Sequence, residues 1–230
     1  MKHLIVTEDV NSLGIAEYDR IILDSITNEI VYMNGVTYEY VDLVLPSRLK
    51  WAKCNVGAEK ETDAGLYFAW GETTGYTASQ VGTNKQFSWS DYKYGNGASN
   101  LTKYNQIDGK TVLESTDDAA SQIMGGDWRM PTDAEFQELL NNTTNEWATI
   151  NGVSGRKFTS KNNGNSIFIP AAGDCGDGSV GTVGDYGVVW SSSLDTSGPN
   201  VAWTLDFYSD YCDTNSSGRY LGRSVRGVRK

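Results

Sequence analysis

The stretch GGDWRMPTDAEFQELLNN, Gly125 to Asn142, sets an aspartate and an arginine on either side of a tryptophan. Asp127 and Arg129 together could move a proton, the work of an acid–base pair. The competing reading places Trp128 in the core and ties the two charges to neighbouring loops. A second candidate is GDCGDGSVGTVGDYG, in which Asp174, Asp177 and Asp185 are interspersed with glycines. Carboxylates and loop carbonyls are hard oxygen ligands suited to calcium. The spacing is not that of an EF-hand loop, and the alternative is a solvated loop that binds no ion. Cys54, Cys175 and Cys212 are widely separated, odd in number and in no metal-ligand spacing. They read as small buried or half-buried thiols rather than a disulfide framework. His3 is the one histidine. Ser–His and Cys–His nucleophile systems are thereby excluded, and the commonest zinc ligand is missing. Carboxylate pairs for glycoside hydrolysis are defined by spatial separation, and the sequence nominates none.

The bulk properties narrow the partners. Formal net charge is −10, and the 19 Lys and Arg residues form no run. A phosphate backbone is repelled by such a chain, so nucleic acid is not an expected partner. Apolar runs fall far short of a bilayer span, so membrane insertion is not expected either. The opening MKHLIVTEDVNSLG has no signal-peptide core and no small-residue cleavage site, which leads to the expectation of a chain made and kept without export. Seven Trp, 13 Tyr and 6 Phe accompany 25 Gly and only 4 Pro. Rings with few rotatable bonds among small polar residues are the composition of recognition surfaces.

The elements that would position these residues follow from periodicity. Residues 1–42 read as short strands, with Asn34-Gly35 between EIVYM and VTYEYV as a type I′ hairpin signal and Arg20 to Leu23 as a further strand. A meander of this size is marginal alone, so it should pack on another surface. LKWAKCNV and GLYFAWGE read as strand-like pieces, and Thr73 to Lys103 as a long ordered loop. STDDAASQIMGG reads as a helix with Ser or Thr caps ahead of Asp117 and Asp118, stopped at Gly125. Thr132 and Glu135 form a capping box ahead of a second helix whose Phe136, Leu139 and Leu140 make one apolar stripe. KFTS, NSIFIPAAG, VVWSSSL, VAWTLDFYS and GRSVRGVR read as strands, with GDCGDGSVGTVGDYG as a glycine-rich loop. In VAWTLDFYSD, period two predicts one packed face carrying Trp203, Leu205 and Phe207 and one exposed face.

Six motifs in one order, LPSRLKWAKCNVGA, GLYFAWGET, GGDWRMPTDAEFQELL, NGNSIFIPAAG, YGVVWSSSL and GRSVRGVR, resemble the Fibrobacter succinogenes major paralogous domain. This group of C-type-lectin-like domains is distantly similar to the formylglycine-generating enzyme fold, and the match spans about four-fifths of the chain. The resemblance implies an α+β, C-type-lectin-like domain over 43–230: two helices flanking a small twisted antiparallel sheet, with long ordered loops. The formylglycine-generating activity needs a closely spaced cysteine pair, whereas Cys175 and Cys212 stand 37 positions apart. Such domains occur in Bacteroidetes surface proteins and in phage fibre or receptor-binding proteins. In some relatives the segment between WSSS and SVR carries variable, ligand-facing side chains.

The expectation is therefore a non-enzymatic phage virion protein, assembled in the host cytoplasm and displayed on the virion surface, that binds a host surface glycan or protein. Residues 1–42 would contact other virion proteins and support a trimer or dimer. The alternatives are a bacterial cell-surface adhesin and a glycan-active enzyme. The expected ligand-facing residues are Asp195, Asn200, Asp206, Tyr208, Asp210, Tyr211, Asp213, Asn215, Tyr220 and Arg223, tyrosines stacking on a ligand and polar groups bonding its hydroxyls. Trp203 is assigned to the core. No cofactor is expected beyond the calcium reading of Asp174, Asp177 and Asp185.

Overall fold

The computed structural model describes residues 20–23, 30–33 and 38–230. The chain divides into two units, residues 1–38 and 39–230. In the first, β1 (Arg20–Leu23) pairs antiparallel with β2 (Ile30–Met33), which joins the two strands expected there. Asn34 and Gly35 lie outside the described residues. The expected partner strand of that turn ends instead in β3 (Tyr40–Asp42), which belongs to the second unit and pairs with β4 (Lys50–Asn55).

In the second unit two helices, α1 (Ala119–Met124) and α2 (Asp133–Asn142), sit among small antiparallel sheets. β5 (Thr143–Ile150), β6 (Val153–Ser160) and β7 (Ser166–Pro170) form one sheet, and β8 (Asp174–Gly176) and β9 (Ser179–Gly181) a hairpin. β10 (Gly187–Leu194), β11 (Val201–Phe207) and β12 (Cys212–Gly218) form another, and β13 (Arg226–Arg229) completes the β3–β4 sheet. The α+β, C-type-lectin-like expectation is corrected here. Among the described residues strand accounts for 39% and helix for 13%, and this unit holds four small sheets rather than one sheet between two dominant helices. The physical reason lies in polar strands. TTNEWATI and CDTNSSG have half-wet faces and little apolar alternation, yet form β5 and β12 through main-chain pairing along their whole length. Among the described residues no helix is long and apolar enough to cross a membrane.

Two cores lie on opposite faces of the β10–β11–β12 sheet. Val189, Leu205 and Phe207 enter one with Trp51, Phe136, Leu139 and Phe158. Trp190 and Ala202 enter the other with Tyr67, Phe68, Trp70, Tyr92 and Tyr104. The expected exposed face of β11 is thus buried as well, because this is the central strand, while Trp203 itself is only half-buried. GLYFAWGE is not a strand: Tyr67 and Phe68 make isolated bridges, to Tyr76 and Arg223, and its side chains are core. The glycine-rich loop contains the β8–β9 hairpin. Its turn Asp177-Gly178 has φ of 47° and 77°, the two positive values that a type I′ turn needs.

The helix ends match their sequence signals. Thr132 Oγ1 accepts from the Glu135 N–H at 3.3 Å, and Glu135 Oε2 accepts from the Thr132 N–H at 2.8 Å. Gly125 ends α1, although Asp118 and not a hydroxyl caps its start. Arg129 forks onto Glu135 at 2.7 and 2.5 Å, and Asp127 pairs with Arg229 at 2.9 Å. Asp127 and Arg129 are therefore each tied to another group, and Trp128 is buried between them. No acid–base pair is assembled from this stretch.

Two fully buried arginines fix the irregular segments. Arg219 donates to Tyr92 Oη (2.9 Å) and to the carbonyls of Tyr104 (3.0 Å), Pro199 (2.8 Å) and Lys103 (3.0 Å), with its guanidinium 4.8 Å from the Trp70 ring. Arg226 donates to Asn55 Oδ1 (3.0 Å) and to the carbonyls of Ala52 and Phe168 (both 2.9 Å). Burial pulls the Arg226 guanidinium down to about 10, which still leaves it charged at neutral pH. A buried charge without a carboxylate partner is tolerated where dipoles surround it, and these carbonyls supply them.

Candidate functional site

The end of the β11–β12 hairpin presents tyrosines on a fixed turn. Tyr208 to Tyr211 connect the two strands, and the Tyr208 N–H donates to the Tyr211 carbonyl at 2.9 Å. Arg156 of β6 closes the turn from outside, its Nη1 donating to the carbonyls of Tyr208 and Ser209, both at 3.2 Å, and its Nε to Asn145 Oδ1 at 2.8 Å. Tyr208 and Tyr211 remain 44% and 41% exposed, high for rings of this size. Tyr186, just ahead of β10, stacks on Tyr208 with centroids 4.5 Å apart and planes 20° from parallel. Tyr211 continues the row at 6.3 Å from Tyr208. Gly187 makes this arrangement possible: a Cβ there would lie 2.0 Å from the Phe207 ring, so only glycine lets the chain pass so close to β11.

Under the tyrosines lies a polar floor. The Tyr186 hydroxyl donates to Asp206 Oδ2 at 2.6 Å, and Asn215 Nδ2 approaches the same oxygen at 3.4 Å. Asp206 Oδ1 is buried and meets no donor at hydrogen-bond geometry. The Thr204 hydroxyl, a near neighbour of this carboxylate, donates to the Asn215 carbonyl at 3.2 Å. Arg223 contributes the opposite deficit: its Nη1 pairs with Asp174 Oδ2 at 3.0 Å, while its buried Nε has no acceptor. Burial raises the Asp206 carboxyl above its ordinary value, and the Thr204 and Tyr186 hydroxyls and the Arg223 charge pull the other way without cancelling it. Burial, then the Asp206 charge, pushes the Tyr186 hydroxyl far up. Asp206 also stands directly opposite Asp213 across the strand pair, a like-charge contact that costs stability.

The ten expected residues do not form one site. Asp206, Tyr208, Asp210, Tyr211, Asp213, Asn215 and Arg223 gather at or next to the tip. Asp195, Asn200 and Tyr220 belong to the other end of the sheet, since β11 alone, Val201 to Phe207, spans about 20 Å. Asp195 is buried and accepts from the Ser197 N–H at 2.9 Å, so it shapes the β10–β11 turn. The Asn200 carbonyl accepts from the Arg219 N–H at 3.1 Å. Tyr220 packs against Trp89 with centroids 4.6 Å apart. Tyr186 and Arg156 are the members that sequence reasoning missed. Neither carries a motif, because one contributes through stacking and the other through bonds to main-chain carbonyls distant in sequence.

The calcium reading has no cluster to rest on. Asp174 Oδ2 is taken by Arg223 and its Oδ1 by the Thr182 hydroxyl at 3.0 Å, while Asp177 and Asp185 are exposed. Among the described residues no three His, Cys, Asp or Glu side chains are grouped to hold a metal ion. Burial pushes the Cys175 and Cys212 thiols up to about 12, so neither is an ionised nucleophile at neutral pH. Comparison with protein-family models, with curated proteins and with solved structures returned no match.

Proposed function

We propose that this chain is a recognition protein that binds a host surface glycan or protein through Tyr186, Tyr208 and Tyr211 and makes or breaks no bond. The observation that carries this reading is the pair of exposed rings, Tyr208 and Tyr211, on a turn locked by Arg156, with half-buried Tyr186 stacked on Tyr208. Exposed rings of this kind provide large contact area, and a turn already fixed in place loses little entropy when a partner docks. The setting suggested by the six ordered motifs is a phage virion, with the chain serving as a fibre or receptor-binding component at its surface. Residues 1–42 are then the contact to other virion proteins and to sister copies. The charge of −10 favours partners other than nucleic acid.

The test is binding of the labelled full chain to a panel of Bacteroidetes strains, with Tyr208→Ala and Tyr211→Ala alongside. Binding that falls at least about tenfold in either variant, with unfolding temperature unchanged, supports the platform. Binding that is unaffected by both substitutions overturns it.

A further inference from the structure

Among the described residues Lys85 is the one buried lysine and Glu72 the one buried glutamate, at 5% and 7% exposure. They meet each other. Lys85 Nζ lies 3.0 Å from Glu72 Oε1 and 2.9 Å from Oε2, and it also donates to the Asp91 carbonyl at 2.6 Å. The Lys93 N–H donates to the same Oε1 at 2.9 Å. A second carboxylate stands close by, with Asp91 Oδ1 3.9 Å from Nζ. Main-chain groups fix it in turn, the Gln86 N–H on Oδ2 at 2.6 Å and the Ser88 N–H on Oδ1 at 3.0 Å. The buried Phe87 ring lies 5.8 Å from the ammonium.

We propose that Lys85 and Glu72 join in an isopeptide bond that the folded chain forms by itself, with Asp91 as the proton carrier. The ammonium first passes one proton to Glu72 Oε2, which leaves a neutral amine facing a neutral carboxyl. The amine nitrogen then attacks the carboxyl carbon. An N–C bond forms, and negative charge gathers on Oε1, where the Lys93 N–H already donates. A second proton leaves nitrogen by way of Asp91, directly or through one water, and reaches the Oε2 hydroxyl. The C–Oε2 bond breaks and one water departs, past the half-buried Asp91 side chain. Atoms and charge balance with no outside reagent. The bond lies inside the chain and is independent of the tyrosine surface, whose partner is held without chemistry.

Burial and placement favour the amide over the ion pair. Two charges out of water carry a desolvation cost that their attraction need not repay, and a neutral amide is free of it. Groups held this close react as one molecule, and well-oriented pairs reach effective concentrations of about 10⁵ M or more. Lys103 on Asp117 is the instructive contrast. There the lysine is only half-buried, and the hydroxyls of Tyr94 and Tyr104 both donate to Asp117 and favour its ionised form, which a nucleophile does not attack. Glu72 receives a single main-chain N–H besides its lysine.

The experiment is intact-mass measurement of the full chain, folded and held at neutral pH, followed by digestion and peptide mapping. The expected mass is that of the sequence less one water, with a branched peptide joining Lys85 to Glu72. Lys85→Arg keeps the charge and removes the nucleophile, and should restore the full mass. Asp91→Asn keeps the reacting pair and should slow bond formation about a hundredfold, read as the bonded fraction against time after synthesis. A wild-type chain at full sequence mass overturns the proposal, whether or not either variant folds. So does a water loss that maps elsewhere, to a succinimide at Asp108-Gly109 or Asp177-Gly178 or to a bond at Lys103. Formation at an unchanged rate in Asp91→Asn overturns the role of Asp91 as carrier.

Discussion

Replacing Arg219 by methionine should test how this chain holds its irregular half. The side chain is fully buried and satisfies four acceptors: one tyrosine hydroxyl and three carbonyls from two separate loops. Each buried acceptor left unmade costs about 1–3 kcal/mol, so the gross loss is about 4–12 kcal/mol. Methionine also removes a desolvated cation whose burial itself costs several kcal/mol, which offsets much of that. The net expectation is a destabilisation of about 3–5 kcal/mol, the range seen when one side of a buried charged network is deleted. For a chain of this length that lowers the unfolding temperature by about 6–20 °C. Thermal and urea unfolding, followed by tryptophan fluorescence, measure it, and Trp70 beside the guanidinium reports locally. Arg219→Lys is the sharper control. An ammonium keeps the charge but cannot reach four acceptors in a planar fork, so it should recover less than half of the loss. A cost below about 1 kcal/mol for methionine, or full stability with lysine, would refute the reasoning.

Three further outcomes follow from the described contacts. Asp117 accepts from Tyr94 (2.5 Å), Tyr104 (2.7 Å) and Lys103, and although burial raises its carboxyl, these bonds outweigh that and hold it far below its ordinary value. A carboxyl lowered in the folded state adds stability above its unfolded value of about 4 and loses it as pH falls below, so Asp117→Asn should cost about 2–3 kcal/mol at pH 7 and less in acid unfolding curves. Asp206 has the opposite sign: raised by burial, it favours folding in acid and ceases to as pH rises through the raised value. Asp206→Asn should leave neutral-pH stability unchanged or higher by about 1 kcal/mol, and a clear loss in denaturant titration would contradict this. Arg156→Ala should speed amide exchange at Tyr208 to Tyr211 while leaving the global unfolding midpoint within about 1 kcal/mol, and unchanged exchange would show that the turn holds itself.

What the sequence made legible was local chemistry. The Thr132–Glu135 capping box, the Gly125 stop and the apolar stripe of α2 can be read from spacing because each involves residues one helical turn apart. Two β-hairpin turns also carry a local signal. Asn151-Gly152 joins β5 to β6 and Asp177-Gly178 joins β8 to β9, both with positive φ throughout, on the same residue signal as Asn34-Gly35. The polar strands β5 and β12 were invisible to apolar periodicity, and with them the balance of sheet over helix. The roles of the buried arginines were not legible, because nothing local distinguishes a guanidinium that will meet carbonyls 115 residues away, as Arg219 meets Tyr104. Part of the candidate site was visible in its tyrosines and aspartates. The split of that set between two ends of one sheet, and the roles of Tyr186 and Arg156, depend on long-range packing alone.

The arginine contacts at the loops go largely to oxygens of the backbone. Arg219 holds residues 103, 104 and 199 by their carbonyls, and Arg156 holds 208 and 209 in the same way. Every amino acid carries that oxygen, so the clamps are indifferent to which side chains the clamped positions display. Substitution at the exposed clamped positions, 208 and 209, can change what the surface says while the frame that holds it keeps its grip. A protein built like this can explore new partners by point mutation without first risking its fold, and the tip from Tyr208 to Tyr211 is where such exploration is cheapest.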